Sequence, residues 1–230
     1  MLTGTVVGSG VASSPDRAMV ASYTMVVPAK TTANLAEMAK EGLRWREQVK
    51  SLYAQVPRPV ADRARFAEET LALATDNLRM GIPTTIVAQA QNDRILGVIL
   101  FDTLMSGPRV GSGVLKLLAI EPVLLAGTPG KQQLRGIGTA LTAATSRQFL
   151  AKGVSTVVIS PLDEEAKRFW IGRGAELCGE STLLCVTGRD KVERLIGNCE
   201  ITPCSPADGD CVLCGAPGAT DGYRLPGVRR

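Results

Sequence analysis

The stretch that most narrows what this chain can become is "VLKLLAIEPV" (residues 114–123) followed by "QLRGIGTAL" (Gln133–Leu141). The first run is apolar at nearly every position, so it reads as a strand covered on both faces, and hence a central one. The second opens a helix-like run that reaches about Ala151. Gly136 and Gly138 stand at that opening, although a glycine within a helix costs about 1 kcal/mol relative to alanine. A helix start carries N–H groups without partners and about half a positive charge. Removing side chains there lets an anion such as phosphate reach those donors, and Arg135 adds a full charge beside them. The plainer reading is that the glycines only permit a tight strand-to-helix turn. Spacing alone leaves both readings open.

Elsewhere the pattern alternates. Residues 1–17 are rich in Gly and Ser and predict a loose arm or a short edge strand. "MVASYTMVVP" (19–28) is β-rich, and Pro28 ends it. "TTANLAEMAKEGLRWREQVKSLYAQV" predicts a helix capped by Thr31 or Thr32, with Leu35, Met38, Leu43 and Val49 on its apolar side. "PRPV" interrupts it. A second helix is predicted from about Ala61 to Met80, closed by Gly81 and Pro83. "TTIVAQAQNDRILGVILFDTL" reads as an antiparallel hairpin turning at "QND". After the glycine-led helix, which Gly153 caps, "STVVIS" is a buried strand. "DEEAKRFWIGRGAEL" is a helix with acids in its first turn and arginines in its last, as the helix dipole favours. "STLLCVTG" supplies a final strand. The fold class is therefore α/β (α+β), a mixed, mostly antiparallel central sheet flanked by helices. The organisation predicted is an N-terminal arm (1–17), one domain (18–196) and a Cys-, Gly- and Pro-rich extension (197–230).

Composition excludes several chemistries. The chain has no histidine, which rules out Ser-His and Cys-His catalysis and any His metal ligand. No G-x-x-x-x-G-K-[ST] phosphate loop is present. A net charge of +4, from 26 basic and 22 acidic residues, is no nucleic-acid signature. No apolar run approaches the roughly 18–20 residues of a membrane span. The opening "MLTGTVVGSGVASS" lacks the basic start and apolar stretch of a secretory signal, so a cytoplasmic chain is expected.

With these residues in place, the sequence resembles the GNAT superfamily, the acyl-CoA-dependent N-acetyltransferases. "QLRGIGTAL" resembles that family's Q/R-x-x-G-x-G/A loop, which wraps the pyrophosphate of coenzyme A. "LLAIEP" lies where the family has its central strand, and "VVIS" with "DEEAKRFWIGRGAEL" resembles its next strand and helix. The hairpin and the two N-terminal helices also fit, so the resemblance covers roughly residues 19–190. It implies acetyl-CoA as co-substrate and an amine acceptor. It implies that Gln133, Leu134, Arg135, Gly136, Ile137, Gly138 and Thr139 hold the pyrophosphate, chiefly through backbone N–H groups, with the Thr139 hydroxyl added. Leu118, Ala119 and Ile120 would offer backbone to the pantetheine arm and the thioester carbonyl, on a strand that splays from its neighbour. The sequence also departs from the family. Trp170 stands where many members have a tyrosine that protonates the leaving thiolate, and an indole N–H is no usable acid near neutral pH. Asp163 replaces a common Asn, Ala175 an aromatic, and the link holding "AGTPG" is longer than usual, fit for a flap over the site.

Two catalytic candidates follow from position. Glu121, directly after the central strand, could accept an amine proton through water; the alternative is a solvated residue before Pro122. Ser160, ending the next strand, could lie near the thiol; the alternative is a turn residue before Pro161. Asp163 reads as a helix cap and Lys116 as a snorkelling edge lysine. All six cysteines lie in the C-terminal quarter. Cys199, Cys204, Cys211 and Cys214 form C-x4-C-x6-C-x2-C, which suits a structural all-cysteine zinc site; a tail with reduced thiols fits equally, and disulfides suit a cytosolic chain less. Cys178 and Cys185 are expected in the core. Two functions remain: an acetyl-CoA-dependent N-acetyltransferase, or a catalytically degenerate GNAT-like module that binds coenzyme A or a protein partner, with the cysteine tail as a candidate partner surface. A different acyl donor or acceptor on the same fold is a further variant.

Overall fold

The computed structural model describes residues 1–14, 20–82, 84–104, 111–126, 134–178 and 182–196. The chain opens with an antiparallel pair, β1 (Gly4–Ser13) and β2 (Val20–Pro28). Two long helices follow, α1 (Thr32–Tyr53) and α2 (Arg58–Met80), then the hairpin β3 (Thr85–Ala90) and β4 (Ile95–Thr103). Next come β5 (Gly113–Ile120), a short α3 (Pro122–Ala126) and α4 (Ile137–Ala151). The last part holds β6 (Thr156–Ile159), α5 (Glu164–Ile171), β7 (Glu176–Leu177), β8 (Leu184–Thr187) and α6 (Arg189–Arg194). The strands form one sheet in the order β1-β2-β3-β4-β5-β6-β8-β7. Every pairing is antiparallel except β5 with β6. This is the GNAT-like mixed sheet that the resemblance implies, with the elements in the expected order.

The sheet is covered on both faces. On one, α1 and α2 bury Met38, Trp45, Leu71 and Ala74 against Val87, Val98 and Ala119. On the other, α4 buries Ile137, Leu141 and Phe149 against Ile86, Ile99 and Phe101. Phe101 and Phe149 meet edge to face, with ring centres 5.7 Å apart, the arrangement that ring quadrupoles favour. With few aromatics available, small and branched side chains supply most of this packing. Among the described residues no helix is long and apolar enough to cross a membrane.

Of the two forms expected for the N-terminal segment, a loose arm or a short edge strand, it takes the second, as a ten-residue edge strand paired with β2. Other local expectations are corrected. Thr31 caps α1, accepting a hydrogen bond from the Asn34 N–H at 3.1 Å, but Leu43 is 61% exposed. The buried stripe is instead Asn34, Met38, Glu41, Trp45, Val49 and Leu52, whose spacings of three and four keep one face inward. α2 begins at Arg58, earlier than expected, because Pro59 falls within the first turn, where a missing N–H costs nothing. Gly81 closes it; Pro83 lies outside the described residues. "EL" (Glu176–Leu177) forms β7 rather than the end of a helix, and α3 and α6 are short helices that no periodicity announces.

Candidate functional site

β5 is the strand around which the site is built. It pairs with β4 along its whole length, but with β6 only over Gly113–Leu115 against Val157–Ile159. From Lys116 onward its other edge lies beyond the end of β6, which stops at Ile159. The register then decides which backbone groups face the gap. The Glu121 N–H donates to the Leu96 carbonyl at 3.0 Å, and the register pairs Ala119 with Val98 and Leu117 with Leu100. Backbone groups alternate sides along an antiparallel strand, so Glu121, Ala119 and Leu117 spend theirs on β4. Leu118 and Ile120 turn theirs toward the gap. Of the three residues expected there, Ala119 is therefore corrected: its backbone belongs to the β4 ladder and its side chain to the α1–α2 core.

The Leu118 and Ile120 side chains pack toward α4, and they underlie its first turn. A Cβ added to Gly138 would stand 3.6 Å from Leu118 and 3.8 Å from Ile120. Those are ordinary contacts, so neither sterics nor backbone torsion demands a glycine at 138. Gly136 differs. It is the residue before the helix, with φ +100°, a left-handed conformation that favours glycine. The tight-turn reading thus explains one glycine and leaves the other.

The first helical bond of α4 runs from the Ala140 N–H to the Gly136 carbonyl at 2.9 Å. No side chain caps this end, and its first turn holds no acidic residue. The Arg135 N–H is already committed, donating to the Ser13 carbonyl at 3.0 Å. Its expected backbone role in anion binding is corrected: the exposed guanidinium is what Arg135 has to offer. Leu134 packs against the core and Ile137 is buried, so these two anchor the loop rather than face a ligand. Gln133 and the "AGTPG" link lie outside the described residues, apart from the link's Ala126, which ends α3. A residue not anticipated from sequence joins the site: the Arg173 Nη2 donates to Thr139 Oγ1, and its guanidinium lies over the Phe169 ring, 4.5 Å from the centre.

Glu121 is neither solvated nor available. It is fully buried, and its Oε1 accepts from Arg44, from Gln48 Nε2 at 2.8 Å and from Arg94 Nη2 at 2.7 Å. Its Oε2 accepts from Arg94 at 2.9 Å. Glu41 joins from α1, accepting from Arg44 and from the Ile95 N–H at 2.8 Å. Burial alone lowers the pKa of Arg44, but hydrogen bonds to Glu41 and Glu121 outweigh it and raise the value, so Arg44 stays charged. Oxygens this crowded with donors have no place for an amine proton. Glu121 clamps α1 to the end of β5, and the general-base expectation is corrected.

Ser160 is exposed where the chain leaves β6. Trp170, placed by the resemblance at the leaving thiol, is 5% exposed and packed in the core, edge to face with Phe169 at 4.9 Å. It supports the site's floor rather than its surface. Asp163 caps α5 as expected, accepting from the Ala166 N–H at 2.7 Å. Lys116 is an exposed strand lysine paired with Asp102 at 3.0 Å. Cys178 and Cys185 are half-buried rather than wholly in the core. Cys199, Cys204, Cys211 and Cys214 lie outside the described residues, and among the described residues no group of His, Cys, Asp or Glu is placed to hold a metal.

Beside the loop that follows β6, on the α2 side of the sheet, lies a cleft of about 540 Å³ whose walls include Asp62, Arg63, Phe66, Glu69, Asp163 and Glu165. Arg63 spans it, bonding Asp163 at 3.1 Å and Glu165 at 2.6 Å. Sequence reading missed this cleft because its walls come from segments about a hundred residues apart.

No protein-family model matches the chain, and no curated protein matches it. Solved structures to which it is similar include AtaTR bound with AcCoA, at 19% identity and TM-score 0.40, covering 54% of this chain and 83% of that one. A GNAT family acetyltransferase from Brucella melitensis in complex with acetyl-CoA is 19% identical, TM-score 0.39, covering 71% and 87%. A GNAT family acetyltransferase from Listeria monocytogenes is 7% identical, TM-score 0.47, covering 76% and 98%.

Proposed function

We propose that this chain is an acetyl-CoA-dependent N-acetyltransferase of GNAT type that transfers the acetyl group directly to an amine. One observation carries the reading: the start of α4, uncapped by any described side chain and bare at Gly138, stands beside the β5 edge that continues past the end of β6. The diphosphate of coenzyme A would lie against the free N–H groups of Gly136, Ile137, Gly138 and Thr139, where the helix dipole and the Arg135 charge favour an anion. The pantetheine arm would run along β5, using the outward groups of Leu118 and Ile120. An N–H of β5 at the thioester carbonyl would stabilise the oxyanion that forms as the amine nitrogen attacks. Collapse of that intermediate breaks the C–S bond and expels the thiolate. An ordinary thiol has a pKa of about 8.5, so the thiolate can leave unprotonated and take its proton from solvent, as the buried Trp170 requires. The cleft between α2 and α5 is the proposed entrance for the acceptor, on the face of the sheet opposite α4. Water in that cleft would take the proton that the amine loses, since Glu121 is occupied.

Isothermal titration with acetyl-CoA and CoA tests the reading, with Gly136→Glu and Arg135→Glu beside the wild type. Binding by the wild type that Gly136→Glu loses and Arg135→Glu weakens supports it; wild-type protein that binds neither ligand overturns it. The second reading, a CoA-binding module without turnover, is favoured by the absence of a tyrosine acid and by the locked Glu121. A screen for acetyl transfer across amine classes separates the two.

A further inference from the structure

We infer that Glu121 is a positioning residue for the acyl end of the carrier, its buried ion cluster fixing the stretch of β5 on which the thioester is to lie; this rests on the proposed carrier site. That stretch has little else to hold it. The pairing of β5 with β6 stops at Leu115 and Ile159, so among the described elements residues 116–120 keep only the β4 ladder. The ladder is itself irregular there: Leu117 pairs with Leu100 and Leu115 with Phe101, which leaves Lys116 unmatched, the mark of a local bend. A segment joined through a bend and paired along one side is free to shift. The residue just past it removes that freedom. The Glu121 N–H donates to the Leu96 carbonyl, and its fully buried carboxylate accepts from Arg44 and Gln48 of α1 and from Arg94, just before β4. Arg44 also donates to the Ile95 carbonyl at 3.3 Å, and Glu41 accepts from the Ile95 N–H at 2.8 Å. A helix, the start of β4 and the end of β5 are thus tied at one point, next to Ile120. A buried ion cluster of this kind adds little stability over apolar side chains of the same volume. Its directional bonds fix geometry instead. An oxyanion donor needs that fixing, since it acts only where it already stands in place before the charge develops.

A positioning role and a purely structural one predict different results. The full chain and its Glu121→Gln and Arg94→Met variants are titrated with two ligands: acetyl-CoA isotope-labelled at the acetyl carbonyl, and the nucleotide half of coenzyme A, which ends at the diphosphate. Calorimetry gives the affinities, infrared spectroscopy the stretching band of the bound carbonyl, and urea unfolding checks that each variant is folded. In the wild type the band is expected below that of free acetyl-CoA, because a fixed N–H polarises the carbonyl. Glu121→Gln keeps the side-chain shape and removes the charge that holds the two arginines. It is expected to return the band toward the free value and to weaken acetyl-CoA about tenfold, the scale of one lost hydrogen bond, with the nucleotide half unchanged. Arg94→Met, at a partly exposed position, is expected to act in the same direction and less. A band that does not move in Glu121→Gln overturns the inference, as does an equal loss for both ligands, which marks damage to the whole fold. Should Glu121→Gln fail to fold, Arg94→Met decides alone: a moved band with the nucleotide half still bound as in the wild type supports the inference, and any other result overturns it. A wild-type band equal to that of free acetyl-CoA also overturns it. A wild-type chain that binds neither ligand fails the carrier site itself, a result distinct from every outcome seen only in the variants.

Discussion

Helices α4 and α5 each follow a strand of the one parallel pair in the sheet, and they treat their first turns in opposite ways. At α5, Asp163 accepts the Ala166 N–H, Glu164 and Glu165 face the dipole, and Arg63 reaches over from α2 to pair with Asp163 and Glu165. Nothing more is wanted there. At α4 a left-handed glycine replaces the cap, the first turn has no acid, and the charges gathered around it are the arginines at 135 and 173. An isolated helix is stabilised by a cap worth about 1 kcal/mol. A sequence that supplies one at α5 and withholds it at α4 fits the proposed reading, in which a ligand completes the second end and function shows as a local rule left unfilled.

The contrast can be attacked from either side. An acid at the open end has the largest expected effect: Gly138→Glu should abolish detectable acetyl-CoA binding, a loss of about 100-fold or more. Chemical denaturation should show the fold retained, because a Cβ at 138 meets only ordinary contacts. Binding that survives would mean that this end is not the site. Glu121 belongs with the closed regions, so Glu121→Ala should act on stability. Leaving Arg44 with a lost partner in a buried network costs about 3 kcal/mol, measured as a lower urea midpoint. Arg135→Glu, an exposed reversal, should weaken acetyl-CoA about tenfold at low salt and less as salt rises. Asp163→Ala tests the closed end directly: stability falls by about 1 kcal/mol, while calorimetric affinity for acetyl-CoA stays as in the wild type.

The smallest effect concerns pH. Burial raises the Asp102 pKa, but the Lys116 ammonium and the Thr103 N–H outweigh it, and the folded value lies below the ordinary one. A carboxyl depressed on folding contributes stability above its unfolded pKa and loses that contribution as pH falls through the folded one. Asp102→Asn should therefore flatten the acid limb of the stability profile slightly, as followed by urea midpoints between neutral and acid pH. Unaltered slope would show that the pairing with Lys116 does not matter.

What could be read from the sequence was whatever depends on neighbours in sequence. The Thr31 and Asp163 caps, the hairpin, and the two glycines at the start of α4 are set by residues within a few positions of each other. Glu121 was opaque for the opposite reason. Its donors are Arg44, Gln48 and Arg94, which lie 77, 73 and 27 positions away. Only the packing of α1 on the β5 corner brings them together. Arg173 and the α2–α5 cleft were hidden in the same way. On α1, Leu43 was assigned to the core by chemistry alone, when helical spacing from Met38 selects Trp45 and turns Leu43 to water. The separation of β5 from β6 has no sequence mark at all, because it depends on where a pairing stops.

The tie between Ser13 and Arg135 carries a consequence for biogenesis. Ser13 on the outermost strand and Arg135 in the turn that it fastens stand more than a hundred positions apart in the sequence. Closing so wide a span is among the slower events available to a polypeptide. On the proposed reading, the corner that holds the carrier depends on this closure, and a chain that has not made it would have little ability to sequester a scarce thioester.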